Sequence, residues 1–416
     1  LLERLDRRLG LLTGGDRDRP QRQQSMRDTI AWSYDLLRPD EQRFFRWMAI
    51  FVGGLSLESA EALGQAIGLG PVESLEAVSS LIESGLAPRA PPSREHSRFH
   101  LFETIREFGL EQLAGTGELD AARRFHATYF LEFASRDAPH PGELTRDEWC
   151  SRVAVEHSNL ISAFDALCVR ESAGECLRFA AALGPYWDYR GPLSEARPRM
   201  NRALAISSPA PTRLRLHVLF WTSLVLTISH GYEAALEVAG QCLELANQIG
   251  GPSDRAAALQ AMAFVQEYHE HFDSARELLE HAMELWESVG NTAMHANCLM
   301  LHAGLEYAHG ELDRAKHEAA RAKMVFQDLG EIVWTAGATW YQGMFAIAGG
   351  ELDLAAAHYE ESLRNWLQSD SPAQCFKPLV GLADTGAAAG CFVSASRLLG
   401  GADEMLAATG AELMPF

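Results

Sequence analysis

Leu259-Gln260-Ala261-Met262-Ala263, then Ala275-Arg276-Glu277-Leu278-Leu279 and Ala282, returns 40 residues later as Leu299-Met300-Leu301-His302-Ala303, then Ala315 and Ala322. Ala235, Ala275, Ala315, Ala355 and Ala395 all keep this spacing. Twelve residues before each stands another small residue: Ser223, Ala263, Ala303, Gly343 and Ala383. Seven residues after four of them come Ala282, Ala322, Ser362 and Ala402. Two antiparallel helices need small side chains where their backbones come closest, and larger neighbours such as Leu259 and Leu279 fill the layer between. One such hairpin cannot bury its apolar face alone, so the units stack into a solenoid. The turns inside the hairpins are expected at His271-Phe272-Asp273, Glu311-Leu312-Asp313 and Glu351-Leu352-Asp353. Gly250, Gly290, Gly330 and Gly410 follow the second helices, where a left-handed cap favours glycine. A degenerate unit is expected from Cys176 to Ile206, with Pro209 and Pro211 breaking the run after it.

The small-residue offsets resemble the tetratricopeptide repeat, stretched from a period of about 34 to 40. Longer helices or longer loops would account for the difference. If that register holds, the concave wall takes Phe220, Leu224, Gln260, Phe264, Tyr268, Met300, Tyr307, Trp340 and Met344. Two readings stay open for this apolar and aromatic set. Superhelix packing buries it, or it lines a groove for a peptide or small effector.

The first third reads differently. A helical pattern through Met26, Ile30, Tyr34 and Leu37 follows a polar linker, Thr13 to Gln24. From there the order suggests a winged helix. Helices are expected at about 40–51, 57–66 and 71–84. Two short strands, Leu86-Ala87 and Arg98-Phe99-His100-Leu101, are joined by a Pro91-Pro92-Ser93 loop, and a helix follows from about Glu103 to Leu113. The fold class expected is therefore all-α: residues 1–40 the end of a helical region, 41–114 a winged-helix-like domain, 115–206 a helical linker with a degenerate repeat, and 207–416 a superhelix of about five hairpins.

Here a more specific resemblance appears. Gln23-Gln24-Ser25-Met26-Arg27-Asp28-Thr29-Ile30-Ala31-Trp32-Ser33-Tyr34-Asp35-Leu36-Leu37, then Phe51-Val52-Gly53-Gly54 and Phe102-Glu103-Thr104-Ile105-Arg106-Glu107-Phe108, resemble bacterial STAND (NB-ARC-like) signalling ATPases. The resemblance covers residues 1 to about 130. It implies an upstream P-loop ATPase domain that binds ATP or ADP, often a DNA-binding helix-turn-helix at one end, and a regulator of transcription in the cytoplasm. It places the nucleotide-sensing triplet on Leu101-Phe102-Glu103. Phe102 replaces a histidine and cannot donate to a phosphate, and Glu103 keeps the acid. No GxxxxGK[ST] occurs in the chain, so no phosphate cradle is expected in it. The chain opens on Leu1 in mid-pattern and is read as a piece of a longer protein.

Composition narrows the function classes. With 416 residues, 47% of them hydrophobic, a sizeable core is expected. A net charge of −20 argues against wrapping nucleic acid or an anionic membrane. The expected third helix of the wing carries Glu73, Glu76 and Glu83, with no Lys or Arg before Arg89, so structural relay is favoured over groove reading. No apolar run reaches the roughly 18 residues of a membrane span. The seven cysteines include no CxxC and read as buried thiols. His269-Glu270-His271 looks like a metal motif, but residues two apart on a helix diverge. His295, His302 and His309 are spaced for one helical stripe and read as polar groove lining, or as pH-sensitive or ligand-contacting groups. Catalysis is not expected. Three functions remain: a sensor and scaffold segment that binds a protein or small-molecule effector and passes the event to its own ATPase, a stand-alone interaction adaptor, and a direct DNA binder through the winged helix.

Overall fold

The computed structural model describes residues 26–88, 98–144, 147–189, 192–229, 231–369 and 374–409. The chain is an all-α helical-repeat protein. Its contacts separate it into two compact units: Leu1–Phe133 with Glu156–Arg170, and Ala134–Val155 with Glu171–Phe416.

The first unit contains α1 (Met26–Asp35), α2 (Pro39–Met48), α3 (Leu57–Ala66), α4 (Pro71–Glu83), α5 (Glu103–Gly115), most of α6 (Leu119–Ser135) and, after α7 (Asp147–Val155) of the second unit, α8 (His157–Val169). Proline opens both α2 and α4, where its missing N–H costs nothing. Ser56 caps α3 by accepting from the Ser59 N–H. Rings fill the core: Tyr34 meets Phe45 at 5.5 Å and Phe108 at 5.6 Å, and Phe51 meets His126 at 4.9 Å. Burial pushes the His126 imidazole down to about 4, against a hydrogen bond with Asn159 that favours the charged form.

Pairing around the expected wing departs from the sequence reading. Phe99 forms an antiparallel bridge with Leu55, not with Leu86-Ala87. The Leu86 and Ala87 N–H groups instead donate to the Leu81 carbonyl, closing the end of α4. The Pro91-Pro92-Ser93 loop lies outside the described residues. The bridge explains Gly53-Gly54. Gly54 has φ +74°, and a Cβ there would stand 2.5 Å from the Phe99 carbonyl oxygen. The Gly53 and Gly54 carbonyls accept from Arg98 at 2.9 and 3.2 Å, and the same guanidinium forks onto Glu156 at 2.6 and 3.0 Å. Asn159 closes the knot, donating to Gly54 and Glu156 and accepting from the Gly53 N–H.

In the second unit, α9 (Ala173–Tyr189) and α10 (Leu193–Ile206) form the degenerate hairpin and share this unit with the later repeats. Five hairpins follow: α11 (Arg213–Ile228) with α12 (Tyr232–Ile249), α13 (Pro252–Tyr268) with α14 (Phe272–Ser288), α15 (Thr292–Ala308) with α16 (Leu312–Asp328), α17 (Ile332–Ala348) with α18 (Leu352–Gln368), and α19 (Phe376–Ala388) with α20 (Phe392–Thr409). From α13 to α18 every helix has 17 residues and every turn has three, so two helices and two turns give the period of 40. Longer helices, not longer loops, stretch the repeat.

The turn triplets lie two residues earlier than expected. His271, Glu311 and Glu351 are N-caps, and Asp273, Asp313 and Asp353 sit in the first turn of the following helix, where the helix dipole favours a negative charge. The middle residue of each turn is left-handed: Glu270 (φ 63°), Gly290, Gly310, Gly330, Gly350 and Gly390. After each, a backbone N–H reaches back to the last helical turn, as from Glu311 to Glu306 O and from Glu351 to Ala346 O, both 2.9 Å. Glycines therefore mark both kinds of turn, inside hairpins as well as between them. Gly250 differs, with φ −84°, and Gly410 lies outside the described residues.

The seam inside each hairpin is as narrow as the small residues predict. Ala235, Ala275, Ala315 and Ala355 are fully buried. The Tyr359 ring is clamped between two glycines: a Cβ on Gly343 would meet it at 2.7 Å and one on Gly381 at 2.3 Å. Ser362 donates across the seam to Ala336 O at 2.8 Å. Cys150, Cys168, Cys176, Cys242, Cys298 and Cys375 are buried and unbridged, and Cys391 is exposed. No helix among the described residues is long and apolar enough to cross a membrane.

Candidate functional site: an aromatic cavity inside the solenoid

The first helices of successive hairpins turn one face toward a cavity of about 290 Å³. Residues one period apart line it together. Phe220, Gln260, Met300 and Trp340 occupy one register position, and Trp221, Ala261, Leu301 and Tyr341 the next. Leu224 and Phe264 line it one helical turn further on, with Ile228 and Tyr268 beyond. A helix presents residues three or four apart on one face, and the stacked repeat extends that face into a wall.

Of the groove residues expected from sequence, Phe220, Leu224, Gln260, Phe264, Tyr268, Met300 and Trp340 lie on this wall. Tyr307 and Met344 do not. They pack beside the Phe345 core between α15 and α17, with the Tyr307 and Phe345 rings 5.5 Å apart. The histidine stripe also lies elsewhere: His295, His302 and His309 are absent from the lining. His302 is fully buried in the α15–α16 seam, with Nδ1 2.8 Å from Glu318 and Nε2 3.5 Å from Glu306. Arg314 completes that ion network at 3.2 Å from Glu306. His309 pairs with Asp273 at 2.9 Å. His269 and His271 both meet Tyr232, by ring contact at 3.8 Å and by a hydrogen bond at 3.1 Å to the tyrosine hydroxyl. Phe102 is half exposed at the N-cap of α5, and Glu103 pairs with Arg106 at 2.8 Å in that helix's first turn.

Three parts of the cavity had no signal in the repeat. The first is α9, which contributes Trp187, Asp188 and Tyr189. The second is the last hairpin with Gln374, Phe376 and Lys377, reached across the lumen by the hydrogen bond from Gln374 to Tyr189 O at 3.4 Å. Burial pushes the Asp188 carboxyl up to about 7, with the Lys377 charge opposing it, and burial lowers Lys377. The third is the turn segment Gly142-Glu143-Leu144, which lies along the wall. Asn291 donates to Gly142 O at 2.9 Å, and a Cβ on Gly142 would stand 2.7 Å from the Trp286 ring. Leu144 rests on the core between α15 and α17.

Polar groups in the wall are partly committed to one another. Gln260 donates to Asn297 and accepts from Trp286 at 3.4 Å and from the Cys298 thiol at 3.2 Å. The lining tryptophans Trp221, Trp334 and Trp366 have buried indole N–H groups without a hydrogen-bond partner among the described residues. Each costs about 1–3 kcal/mol of desolvation. Behind the wall the Glu267 carboxylate is also buried and unpaired, and burial pushes it up to about 8.

No protein-family model matches the chain. It is 30% identical over 273 residues to a Mycobacterium tuberculosis protein named "Putative HTH-type transcriptional regulator Rv0890c", a match covering 64% of this chain and 31% of the relative. It is 26% identical over 122 residues to "Uncharacterized protein Rv0894" of the same species, covering 29% of this chain and 31% of that one. The chain thus spans about a third of the length of the curated relatives it matches. Among solved structures, a Rap protein complexed with competence and sporulation factor superposes with a TM-score of 0.53 at 13% identity, over 92% of this chain and 99% of that one. Aspartyl phosphate phosphatase F from Bacillus subtilis gives 0.50 at 13%, over 94% and 98%. These likenesses show the helical-repeat fold.

Proposed function

We propose that this chain is the effector-sensing segment of a larger STAND-type bacterial transcriptional regulator, and that the cavity holds the effector. One observation carries the reading. The two ends of the solenoid, α9 and the last hairpin, meet across an aromatic lumen that side chains from six intervening helices leave unfilled. A ligand there touches every repeat, so binding couples to the curvature of the whole superhelix. The relative named as an HTH-type regulator supports a regulatory role. The Rap protein, named in complex with a factor, supports binding within such a fold. An upstream ATPase domain using ATP or ADP, and DNA contact through a separate helix-turn-helix, complete the proposal. Direct DNA reading through α4 is disfavoured by its glutamates, of which Glu76 faces Arg38 at 3.9 Å.

The test is a thermal-shift screen of the chain against small metabolites. Stabilising compounds are expected to lose their effect in Trp340→Ala combined with Phe264→Ala, with helical circular dichroism retained. Stabilisation that survives the double substitution would move the effector site out of the cavity.

A further inference from the structure

The charges around the cavity are unequal in availability. Lys377 is the one Lys or Arg among the described residues that line it. Its ammonium lies over the Trp340 ring at 6.0 Å, so the place an aromatic wall offers to a cation is already filled. Two carboxylates share the lining. Glu143 turns back on its own segment, accepting the His140 N–H at 2.9 Å. Asp188 faces Lys377, but a carboxyl held so far from water carries less than a full charge near neutral pH. Gln374 is engaged with Tyr189 O. Lys377 therefore lines an apolar chamber with Asp188 as the carboxylate facing it, and burial works against the charge on both groups, so a second anion at the ammonium would stabilise its charged form.

We propose that the cavity selects a small organic anion, whose hydrocarbon body lies against Phe220, Phe264 and Trp340 and whose acidic group meets Lys377. The inference rests on reading the cavity as the effector site and names the chemistry of its ligand. It also gives the last hairpin a role. A ligand acid bound to Lys377 and a ligand body on α11, α13 and α17 would tie the end of the solenoid to its middle.

Two fluorescent probes separate charge from apolar contact. 8-Anilinonaphthalene-1-sulfonate is an aromatic anion, and N-phenyl-1-naphthylamine is the same skeleton without the sulfonate. Both are titrated into the wild-type chain. Lys377→Met is expected to weaken the anionic dye about tenfold or more, with the neutral dye changed by less than about threefold. Lys377→Arg, which keeps the charge, is expected to retain the anionic dye within a few-fold. Asp188→Asn, which removes the competing carboxylate, is expected to tighten it. Far-UV circular dichroism and melting of each variant guard against unfolding, and the arginine variant keeps the test decisive if the methionine variant melts early. Equal losses of both dyes in Lys377→Met, or no loss of the anionic dye, would overturn the anion preference and leave the cavity as a neutral site. Failure of both dyes to bind wild type, or binding indifferent to Trp340→Ala with Phe264→Ala, would overturn the effector-site reading beneath it.

Discussion

The seam inside the hairpins and the wall of the lumen are built on the same helices, yet they follow different rules. At the seam the same kind of residue returns every 40 positions: alanine at 235, 275, 315, 355 and 395. At the wall one register position carries Phe220, Gln260, Met300 and Trp340 in turn. Backbone approach is the same problem in every repeat, so it has one answer. A lumen proposed to hold a single ligand would be asymmetric, and here each repeat contributes a different group. The difference teaches that repetition marks packing, and that departure from repetition marks the cavity wall.

The largest effect is expected where two successive hairpins pack most tightly, at the contact of α18 with α19. Gly381→Ala puts a Cβ 2.3 Å from the Tyr359 ring, and the ring is already clamped from the other side by Gly343. A loss of about 2–3 kcal/mol in urea unfolding is expected. Tyr359→Leu in the same chain should return part of it. Additive losses would show that the clamp is not what sets the spacing.

Glu267, buried on α13 beside Gly304 of α15, has the next effect. The unfolded carboxyl ionises near 4.5, and burial holds the folded one to about 8. The folded state therefore binds the proton more tightly, and this contribution is fully present below 4.5 and lost as pH rises through 8. Glu267→Gln should raise the melting temperature at pH 9 by roughly 3–6 °C and change it little at pH 5. An equal shift at both pH values would mean that the carboxylate finds a partner in the folded chain.

The wall should be cheaper to damage. Trp340→Ala with Phe264→Ala removes half-buried rings that already border empty space. It should cost about 1–2 kcal/mol, less than a comparable truncation of fully buried Phe326 or Trp286. If the wall pair costs more than the core residues, the rings serve packing and the contrast between seam and lumen collapses.

The smallest effect sharpens the repeat itself. Five turns place glycine at the left-handed position, and the sixth places Glu270 there at φ 63°. Glu270→Gly should stabilise the chain by about 0.5–1 kcal/mol, and Gly310→Ala should destabilise it by about 1 kcal/mol, both read by chemical denaturation.

Much of the fold was legible. Helices predicted near 57–66, 71–84 and 103–113 appear at Leu57–Ala66, Pro71–Glu83 and Glu103–Gly115, because proline, serine caps and apolar spacing act locally. The strand pairing was not legible. Phe99 pairs with Leu55 because Gly54 lets the backbone approach it and Arg98 ties the same turn to Glu156, a residue more than 100 positions from Gly53. Tyr307 and Met344 show the matching limit within the repeat. Tyr307 stands one residue off the wall position, at the register of Glu267 and not of Tyr268, and Met344, though at the register of Phe264, packs with it against the core around Phe345.

By itself the sequence determined the period, the helical hairpin, the small-residue seam and most of the aromatic wall. Each of these follows from spacing along one chain and from contacts between neighbouring repeats. Tertiary structure alone decided that the wall closes into a cavity, that Lys377 faces Asp188 across it, and that Gly142 lies against Trp286. Curvature accumulates from small rotations at every interface, and where two ends of a superhelix meet depends on their sum, which no single repeat encodes.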